Sequence, residues 1–256
     1  MINSHEEYKV KSLAKAMNVL ECFTTDSPEL GITQIASLLG IGKSNVHDIV
    51  TTFVQLGYLE QSENGKYKLG LKMLRYSFMV NESMAYMRAV YDILSATSQK
   101  TGEIVYFGVP YGDQVMYLSS VHPVTRLQVM PYREMAGETA PLYCTGIGKA
   151  ILAFYPEREW DMHIMKERKA YTSETITNYD DIIEDLKRCR KRGYSIDDGE
   201  REQGIRCVGV PVFNYYGKLV AGISTSGSME TVTHKKVADF AKILQESAFQ
   251  MRERLY

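Results

Sequence analysis

The sequence predicts an α+β fold in two parts, and three observations support this prediction. Apolar residues recur at helical spacing through most of the first 57 residues. Two short strand-like segments around an Asn-Gly turn follow them. From residue 101 onward, strands are followed by helices and then by strands again, an order typical of an α+β domain with a mostly antiparallel sheet. We therefore predict an N-terminal domain over residues 1–70, linker helices over 71–100 and a C-terminal domain over 101–256.

The N-terminal domain begins with three helical segments. Ser12 stands at the start of the first segment and Thr33 at the start of the second, and each hydroxyl is placed to cap a helix. Gly40-Ile41-Gly42 separates the second segment from the third, because glycine readily adopts the positive φ that a tight turn needs. The spacing thus predicts a helix-turn-helix.

The third helical segment, which starts at Lys43, has one apolar side and one polar side. Its apolar residues are Val46, Ile49, Val50 and Phe53. Its polar residues are Ser44, His47, Asp48, Thr51 and Gln55. A short polar surface of this kind is typical of a helix that lies in the DNA major groove. With the hairpin around Ser62-Glu63-Asn64-Gly65 as a wing, the pattern predicts a winged helix-turn-helix, although a helical hairpin that packs on a neighbour has the same spacing.

Charge sets a condition on DNA binding. Residues 1–70 contain six lysines, no arginine and eight acidic residues, a formal charge of −2. Because phosphate contacts dominate DNA affinity, a single copy should bind weakly, and dimerisation should be close to required. The net charge of the whole chain is −1, which implies no general attraction to nucleic acid or membrane.

Composition indicates a soluble globular protein, with 256 residues, 45% hydrophobic and 24% charged. The sequence contains no run of about 18 apolar residues and no signal segment at its start. Its four cysteines lie far apart and form no CxxC pair, which fits neither a disulfide framework nor a zinc module. We expect a protein of the reducing cytoplasm with no membrane span.

The linker over residues 71–100 is predicted to be helical, with a break near residues 81–83. It has apolar residues on more than one face, so it should pack on another helix. The same helix of a second subunit and the chain's own second domain are both open as partners. The C-terminal domain then has predicted strands over 103–110, 114–121 and 126–131, helices over 146–155, 156–167 and 178–192, strands over 194–197, 205–213 and 219–226, and a helix over 237–255.

A glycine-rich segment, Thr145-Gly146-Ile147-Gly148-Lys149-Ala150, leads into the first of these helices. It does not match a phosphate loop, because Tyr143 replaces the required early glycine and Ala150 replaces the magnesium-binding Ser or Thr. The free N–H groups of a helix start attract anions, so a carboxylate site and a simple tight turn are both open here.

Cys207 is a candidate nucleophile, and Asp197 lies shortly before it in the sequence. A thiol enzyme would also need a histidine base. The candidate histidines His122, His163 and His234 are isolated. A cysteine in an apolar strand is more often a small buried apolar residue. The alternative function is a small-molecule thiol enzyme or hydrolase on the C-terminal domain, with the N-terminal domain as its regulatory part.

Ser224 and Ser226 lie on the same side of a predicted strand, because side chains alternate along a strand. They could line a pocket or face solvent. We expect no metal site, since the sequence has neither an H-x-x-x-H motif nor paired cysteines.

Taken together, these motifs resemble the IclR family of bacterial transcriptional regulators, from about Val10 to Leu255. The resemblance lies in Lys11-Ser12-Leu13, Gly42-Lys43-Ser44-Asn45-Val46-His47, Gly57-Tyr58-Leu59, Thr145-Gly146-Ile147-Gly148-Lys149-Ala150, Arg192-Gly193-Tyr194, Gly204-Ile205-Arg206-Cys207 and Pro211-Val212-Phe213. It implies a winged helix-turn-helix joined to a GAF-like domain that binds a small carboxylate effector. It also implies a repressor or activator, not an enzyme, that has no cofactor, binds a double-stranded DNA operator and forms dimers and tetramers.

The resemblance also implies roles for individual residues. For DNA, the polar side of the third helical segment itself predicts that Ser44, Asn45 and His47 contact base edges, with Thr51 as a further DNA-binding residue, and that Lys43, Lys66 and Lys68 bind phosphates. The expected effector-binding residues are Gly146, Ile147, Asp197, Cys207, Ser224 and Ser226. The chain departs from the family pattern at Gly42, Asp48 and Gly199, where the family commonly has a proline, a basic residue and an acid. Within the family, residues 140–145 and 206–213 look most like the branch that responds to 2-keto-3-deoxygluconate, which favours a keto or sugar acid.

Overall fold

The computed structural model describes residues 8–124, 135–164 and 166–255, without the side chains of Ala85 and Tyr86. The predicted strand over 126–131 lies outside these residues. The chain divides into two compact units, residues 1–85 and 86–256.

The N-terminal unit is a winged helix-turn-helix. Its elements are α1 (Lys11–Leu20), α2 (Ile32–Leu39), α3 (Lys43–Gln55), β1 (Leu59–Gln61), β2 (Tyr67–Leu69) and α4 (Lys72–Ser83). The apolar side of α3 lies in the core, where Val46 and Val50 are fully buried together with Ile35 of α2. The wing is tied to the preceding loop, because Leu30 and Tyr67 exchange backbone hydrogen bonds of 3.0 and 2.9 Å.

The predicted caps of the first two helices are wrong. Ser12 and Thr33 lie inside α1 and α2, and neither caps its helix. At α2 the side chain of Gln34 performs this role instead, because its Oε1 accepts a hydrogen bond of 2.9 Å from the backbone N–H of Gly31. A glutamine at the third helical position can bond back to the residue before the helix in this way. The helix therefore starts before Thr33, the residue that was expected to cap it.

Helix α4 buries none of its side chains. Its exposed apolar residues are Leu74, Tyr76, Phe78, Met79 and Val80. Helix α5 (Ala85–Thr101) follows after a single residue, Met84, so the predicted break falls at this position.

The C-terminal unit is built on a six-stranded sheet in the order β5-β4-β3-β8-β7-β6, and all its described strand pairs are antiparallel. Its strands are β3 (Ile104–Tyr111), β4 (Gln114–Val121), β5 (Thr139–Pro141), β6 (Ser195–Asp198), β7 (Ile205–Phe213) and β8 (Leu219–Ser228). Its remaining helices are α6 (Gly146–Phe154), α7 (Trp160–His163), α8 (Tyr179–Arg192) and α9 (His234–Arg252). The predicted fold class, a winged helix-turn-helix followed by an antiparallel-sheet α+β domain, is confirmed.

The two faces of this sheet have separate cores. On one face, Val208, Val210 and Ile223 pack with α9 and α5. On the other face, α6 and α8 form a second core around Ile147 and Leu186. Since alternate residues of a strand point to opposite faces, Ser224 and Ser226 lie on the α6 side of β8.

The predicted helix over 156–167 is wrong. Its described residues, 156–164 and 166–167, hold only a short 3₁₀ turn, Glu157–Glu159, and the single turn of α7. Within its described part only Trp160 and Ile164 are buried. These two residues are four positions apart, so one helical turn is enough to bring both to the core.

Helix α6 begins in close contact with β7. A Cβ atom at position 209 would lie 2.6 Å from the carbonyl carbon of Gly146 and 2.8 Å from the hydroxyl oxygen of Ser195. The Ser195 hydroxyl donates a hydrogen bond to the carbonyl oxygen of Gly146 and fixes this contact. Glycine is therefore required at position 209.

We predict that Gly209→Ala destabilises the C-terminal unit by about 1–3 kcal/mol, because the added methyl group overlaps the backbone of α6. Urea unfolding followed by the fluorescence of Trp160 measures this, since the chain's single tryptophan is buried in the same unit. The control is Gly42→Ala, at an open position with φ −63° in the other unit, which should leave the Trp160 transition in place. An unchanged midpoint for Gly209→Ala would contradict the close contact.

Candidate functional site

A cavity of about 320 Å³ lies on the α6 side of the sheet, within the usual range of about 300–1,000 Å³ for small-ligand pockets. The six predicted effector-binding residues Gly146, Ile147, Asp197, Cys207, Ser224 and Ser226 all line it. Their role in binding an effector stays a prediction.

Strand register explains how distant residues meet at this cavity. Asp197 of β6 pairs with Cys207 of β7, and Cys207 pairs with Ser226 of β8. These three side chains therefore lie in one row across the sheet. The thiol of Cys207 donates a hydrogen bond of 3.1 Å to the Ser226 hydroxyl, which leaves the hydroxyl hydrogen of Ser226 available to a ligand.

The start of α6 supplies free hydrogen-bond donors. The Thr145 hydroxyl caps the helix by accepting a hydrogen bond of 3.1 Å from the Gly148 N–H. Among the described residues, the N–H groups of Gly146 and Ile147 have no hydrogen-bond partner. Free N–H groups at a helix start, in the wall of a cavity, are suited to a carboxylate.

Ser224 is a second unsatisfied group. The residue is 3% exposed, and its hydroxyl has no hydrogen-bond partner in the described part of the chain. Because this residue lines the cavity, its hydroxyl is available for a hydrogen bond to a ligand there.

Asp197 is held by the loop that follows it. Its Oδ1 accepts hydrogen bonds from the backbone N–H groups of Glu200 and Arg201, at 2.7 and 3.4 Å. Burial raises the pKa of the Asp197 carboxyl to about 6, against the opposing effect of the Lys149 charge. Asp197 therefore titrates close to neutral pH and can accept or donate a hydrogen bond.

The geometry disfavours a thiol enzyme. Burial, with the Asp197 charge as the next cause, raises the pKa of the Cys207 thiol well above its usual value, so the thiol stays protonated. None of the described residues that line the cavity is a histidine. His163 instead contacts the carbonyl oxygen of Gly112, and His234 lies beside Arg206.

Behind the cavity lies a buried cluster of three charges that the sequence pattern did not reveal. Lys149 of α6, 2% exposed, donates hydrogen bonds to Asp185 of α8, at 2.9 Å, and to Glu200. Burial opposes a charged lysine, but Glu200 and Asp185 outweigh it and raise the pKa of Lys149. Lys149 in turn lowers the pKa of Asp185 despite its burial. The cluster joins α6 and α8 to the loop that holds Asp197.

Sequence reasoning also missed other lining residues, among them Tyr106, Tyr117, Arg201 and Glu202. Tyr106 pairs with Ser224 across β3 and β8, a relation that only the register provides. Arg201 and Glu202 lie inside the acidic segment that contains Asp197, so their nearness in sequence was the one available signal.

The polar side of α3 is open for contacts. Lys43, Ser44, Asn45 and His47 are exposed and Thr51 is half-buried. On the wing, Lys66 is exposed, while Lys68 lies 3.8 Å from Glu60.

The wing turn is held by Glu29. This carboxylate accepts hydrogen bonds from Ser62, at 2.6 Å, and from Asn64, at 3.0 Å. These bonds lower the pKa of Glu29, so the carboxylate is charged when it holds the turn.

None of the helices in the described part of the chain is both long enough and apolar enough to cross a membrane.

The N-terminal unit is a winged helix-turn-helix with an exposed polar side on α3. The C-terminal unit holds a cavity lined by polar groups without hydrogen-bond partners among the described residues. Together they define the class of ligand-responsive DNA-binding proteins. Residues 12–63 match the family described as the IclR helix-turn-helix domain. Residues 80–252 match the family described as bacterial transcriptional regulator IclR C-terminal. The chain belongs to the IclR family of bacterial transcriptional regulators, and it is a DNA-binding regulator with an effector-binding C-terminal domain.

Individual relatives extend over nearly the whole chain. The HTH-type transcriptional regulator XynR of Escherichia coli (strain K12) is 30% identical over 250 residues, 96% of this chain and 97% of that protein. KdgR of the same strain is 28% identical over 242 residues, 93% and 90% of the two chains. A solved IclR homologue complexed with 4-hydroxybenzoate, from Microbacterium hydrocarbonoxydans, has the same fold, with a TM-score of 0.77 at 19% identity over 95% of this chain and 98% of that one. These relatives are regulators, so the enzyme alternative has no support.

We predict that Lys149→Met destabilises the C-terminal unit by about 3–5 kcal/mol near pH 8, because two buried carboxylates lose their counter-charge. Their folded-state pKa values should then lie above the unfolded values. Stability is lost as the pH rises through such raised values, so the deficit should shrink between pH 8 and pH 5. Urea unfolding followed by Trp160 fluorescence at the two pH values measures both effects.

Arg188→Met is the matched control. Arg188 also lies 3.2 Å from Asp185, but its side chain is 52% exposed, so its removal should cost no more than about 1 kcal/mol. A deficit for Lys149→Met that does not change with pH would contradict its role as the counter-charge.

Proposed function

We propose that the protein is a cytoplasmic repressor whose operator affinity is controlled by a small carboxylate effector in the C-terminal cavity. One observation supports this most directly. The cavity has two free N–H groups at Gly146 and Ile147 and a free hydroxyl at Ser224, so its walls offer donors where an anion would bind. A carboxylate against the helix start would satisfy them.

The effector that we propose is a keto or sugar acid. Asp197, Ser224 and Ser226 lie in the same cavity as the helix start, and hydroxyl or keto groups next to a carboxylate could bond to them. The 4-hydroxybenzoate in the homologous structure is likewise a carboxylate, which is consistent with an acid. The resemblance to the 2-keto-3-deoxygluconate branch gives the first candidate to test.

At the operator, Ser44, Asn45, His47 and Thr51 of α3 would contact base edges in the major groove. Lys43, Lys66 and Lys68 would bind phosphates, and Lys68 would first have to leave Glu60. The start of α3 has no side-chain cap, so its backbone N–H groups are also available to a phosphate.

The active species would be a dimer or a tetramer. The exposed apolar side chains of α4, among them Leu74 and Phe78, support self-association, because a contiguous apolar surface usually marks an interface. Effector binding and DNA binding would then be linked by a coupling free energy of about 1–3 kcal/mol.

We predict that Lys43→Ala weakens binding to all DNA sequences alike and lowers the slope of log affinity against log salt concentration by about 1 per protomer. The lost phosphate contact is the reason. Gel shifts or fluorescence anisotropy over a salt series, on operator and unrelated DNA, measure both effects. Lys242→Ala, at an exposed lysine of α9, is the control, and an unchanged slope for Lys43→Ala would count against a phosphate contact.

We predict that Ser224→Ala weakens effector binding roughly tenfold, the effect of one hydrogen bond worth about 1.4 kcal/mol. Operator binding without effector should stay unchanged. A thermal-shift screen of small keto and sugar acids identifies the effector, and calorimetry with that acid compares the variants. Ser119→Ala, at a half-buried serine of β4 that does not line the cavity, is the control. Loss of operator binding in Ser224→Ala would place Ser224 in the fold rather than in the site.

A further inference from the structure

Arg201 is a cation in the wall of the cavity. It lies in the loop between β6 and β7, it is exposed, and it lines the cavity. Its guanidinium carbon lies 4.0 Å from the centre of the Tyr171 ring. An arginine stacked on an aromatic ring keeps its planar donors oriented along the edge of the guanidinium.

The backbone around Arg201 is also fixed. Its N–H donates to Asp197, as described above. On the other side of the loop, the Thr172 hydroxyl donates to the carbonyl oxygen of Gly199 and the Thr175 hydroxyl donates to that of Glu200, each at 2.6 Å. The segment that carries Tyr171 is thus bonded directly to the segment that carries Arg201. The backbone of Arg201 is therefore held, and its guanidinium contacts the Tyr171 ring without a ligand present.

Arg201 has no carboxylate within ion-pair distance in the described part of the chain, although acidic residues surround it. Asp197, Glu138 and Glu202 line the same cavity. A bound anion would avoid these carboxylates. The favourable positions for negative charge are therefore the N–H groups at the start of α6 and the guanidinium of Arg201.

These two positions belong to different elements. The start of α6 packs over β7 and β8, where a Cβ at Gly222 would lie 2.8 Å from Ile147, whereas Arg201 lies beyond the end of β6. The hydroxyl of Ser224 and the row of Asp197, Cys207 and Ser226 line the same cavity as these two positions. The cavity thus offers a donor site for an anion at each of two places, with polar side chains in the same space.

We propose that Arg201 is a second anion-binding position, and that the effector is a hydroxylated acid with a carboxylate at each end, of the sugar diacid class. One carboxylate bonds to the Gly146 and Ile147 N–H groups. The other takes two parallel hydrogen bonds from Arg201, and the hydroxyl groups between them bond to Ser224 and Asp197. The proposal rests on the proposed function, because it assigns the ligand of the same cavity.

Matched ligands test this on the full-length protein. Calorimetry compares aldonic acids with the aldaric acids of the same carbon chain: threonate with tartrate, xylonate with xylarate and gluconate with glucarate. Members of a pair differ only in whether the distal end is a hydroxymethyl group or a carboxylate. We expect the diacid of at least one pair to bind about 10- to 100-fold more tightly, as one charge-assisted contact predicts.

Variants assign the preference to Arg201. Arg201→Met should abolish the preference for the diacid and leave the affinity of the monoacid within about twofold, because only the distal contact is lost. Arg201→Lys should retain part of the preference, since it keeps the charge without the planar fork. Ser224→Ala should weaken both members of a pair, and Arg188→Met, at an exposed arginine outside the cavity wall, should change neither.

The outcomes separate the two proposals. Equal affinity for both members of every pair that binds, or a preference that survives in Arg201→Met, overturns the role of Arg201 and leaves the carboxylate effector in place. Binding of none of the six acids overturns the sugar-acid effector and, with it, the diacid.

Discussion

The candidate effector cavity depends on the contact between the start of α6 and strand β7. Gly146 and Gly209 meet without side chains between them, and Ser195 bonds to the carbonyl oxygen of Gly146. This contact brings two free N–H groups of α6 close to the row of polar side chains on the sheet. A bulkier residue at either glycine would lift the helix start, and the donors of the helix would no longer share one space with Cys207 and Asp197.

The C-terminal unit keeps polar groups where apolar residues would be more stable. Ser224 and Asp197 are almost fully buried, and Ser224 has no hydrogen-bond partner among the described residues. Such groups lower stability unless a ligand satisfies them. The buried charges of Lys149, Asp185 and Glu200 have a different role, because Lys149 bonds to both carboxylates and the cluster holds α6, α8 and the loop after β6 together. The charged set is structural, although one carboxylate oxygen of Glu200 has no hydrogen-bond partner among the described residues, and the Ser224 hydroxyl in the cavity wall is available to a ligand.

Local sequence patterns predicted those features that local rules determine. The periodic apolar residues of α3, the Asn-Gly hairpin and the alternating strands β7 and β8 follow from neighbours within a few residues, and their fold is confirmed. The predicted helix over 156–167 is wrong because charged residues with good helix propensity do not form a helix where, among the described residues of the segment, only Trp160 and Ile164 are buried in a core. Gly31 also precedes α2 where Thr33 was expected to cap it, because Gln34 supplies the bond.

The cavity required information that no local pattern contains. The resemblance to a family identified Asp197, Cys207, Ser224 and Ser226 one by one, but only the strand register places Asp197, Cys207 and Ser226 in one row, with Ser224 on the same face of β8. Lys149 looked like part of a failed phosphate loop, and its partners lie 36 and 51 residues away in the sequence. Arg201 belongs to no sequence motif. Its contact with the Tyr171 ring is visible only in the structure.

In the proposed mechanism, the weak charge of the DNA-binding domain allows a small effector to change operator occupancy. A DNA-binding domain with a formal charge of −2 over residues 1–70 cannot rely on a large excess of phosphate contacts. Its affinity for an operator should therefore lie close to the threshold for occupancy, where a change of about 1.4 kcal/mol alters binding tenfold. A strongly basic domain would stay bound through such a change. In the proposed mechanism, the near-neutral charge that makes a single copy a poor DNA ligand is thus also what makes the regulator responsive to one small acid.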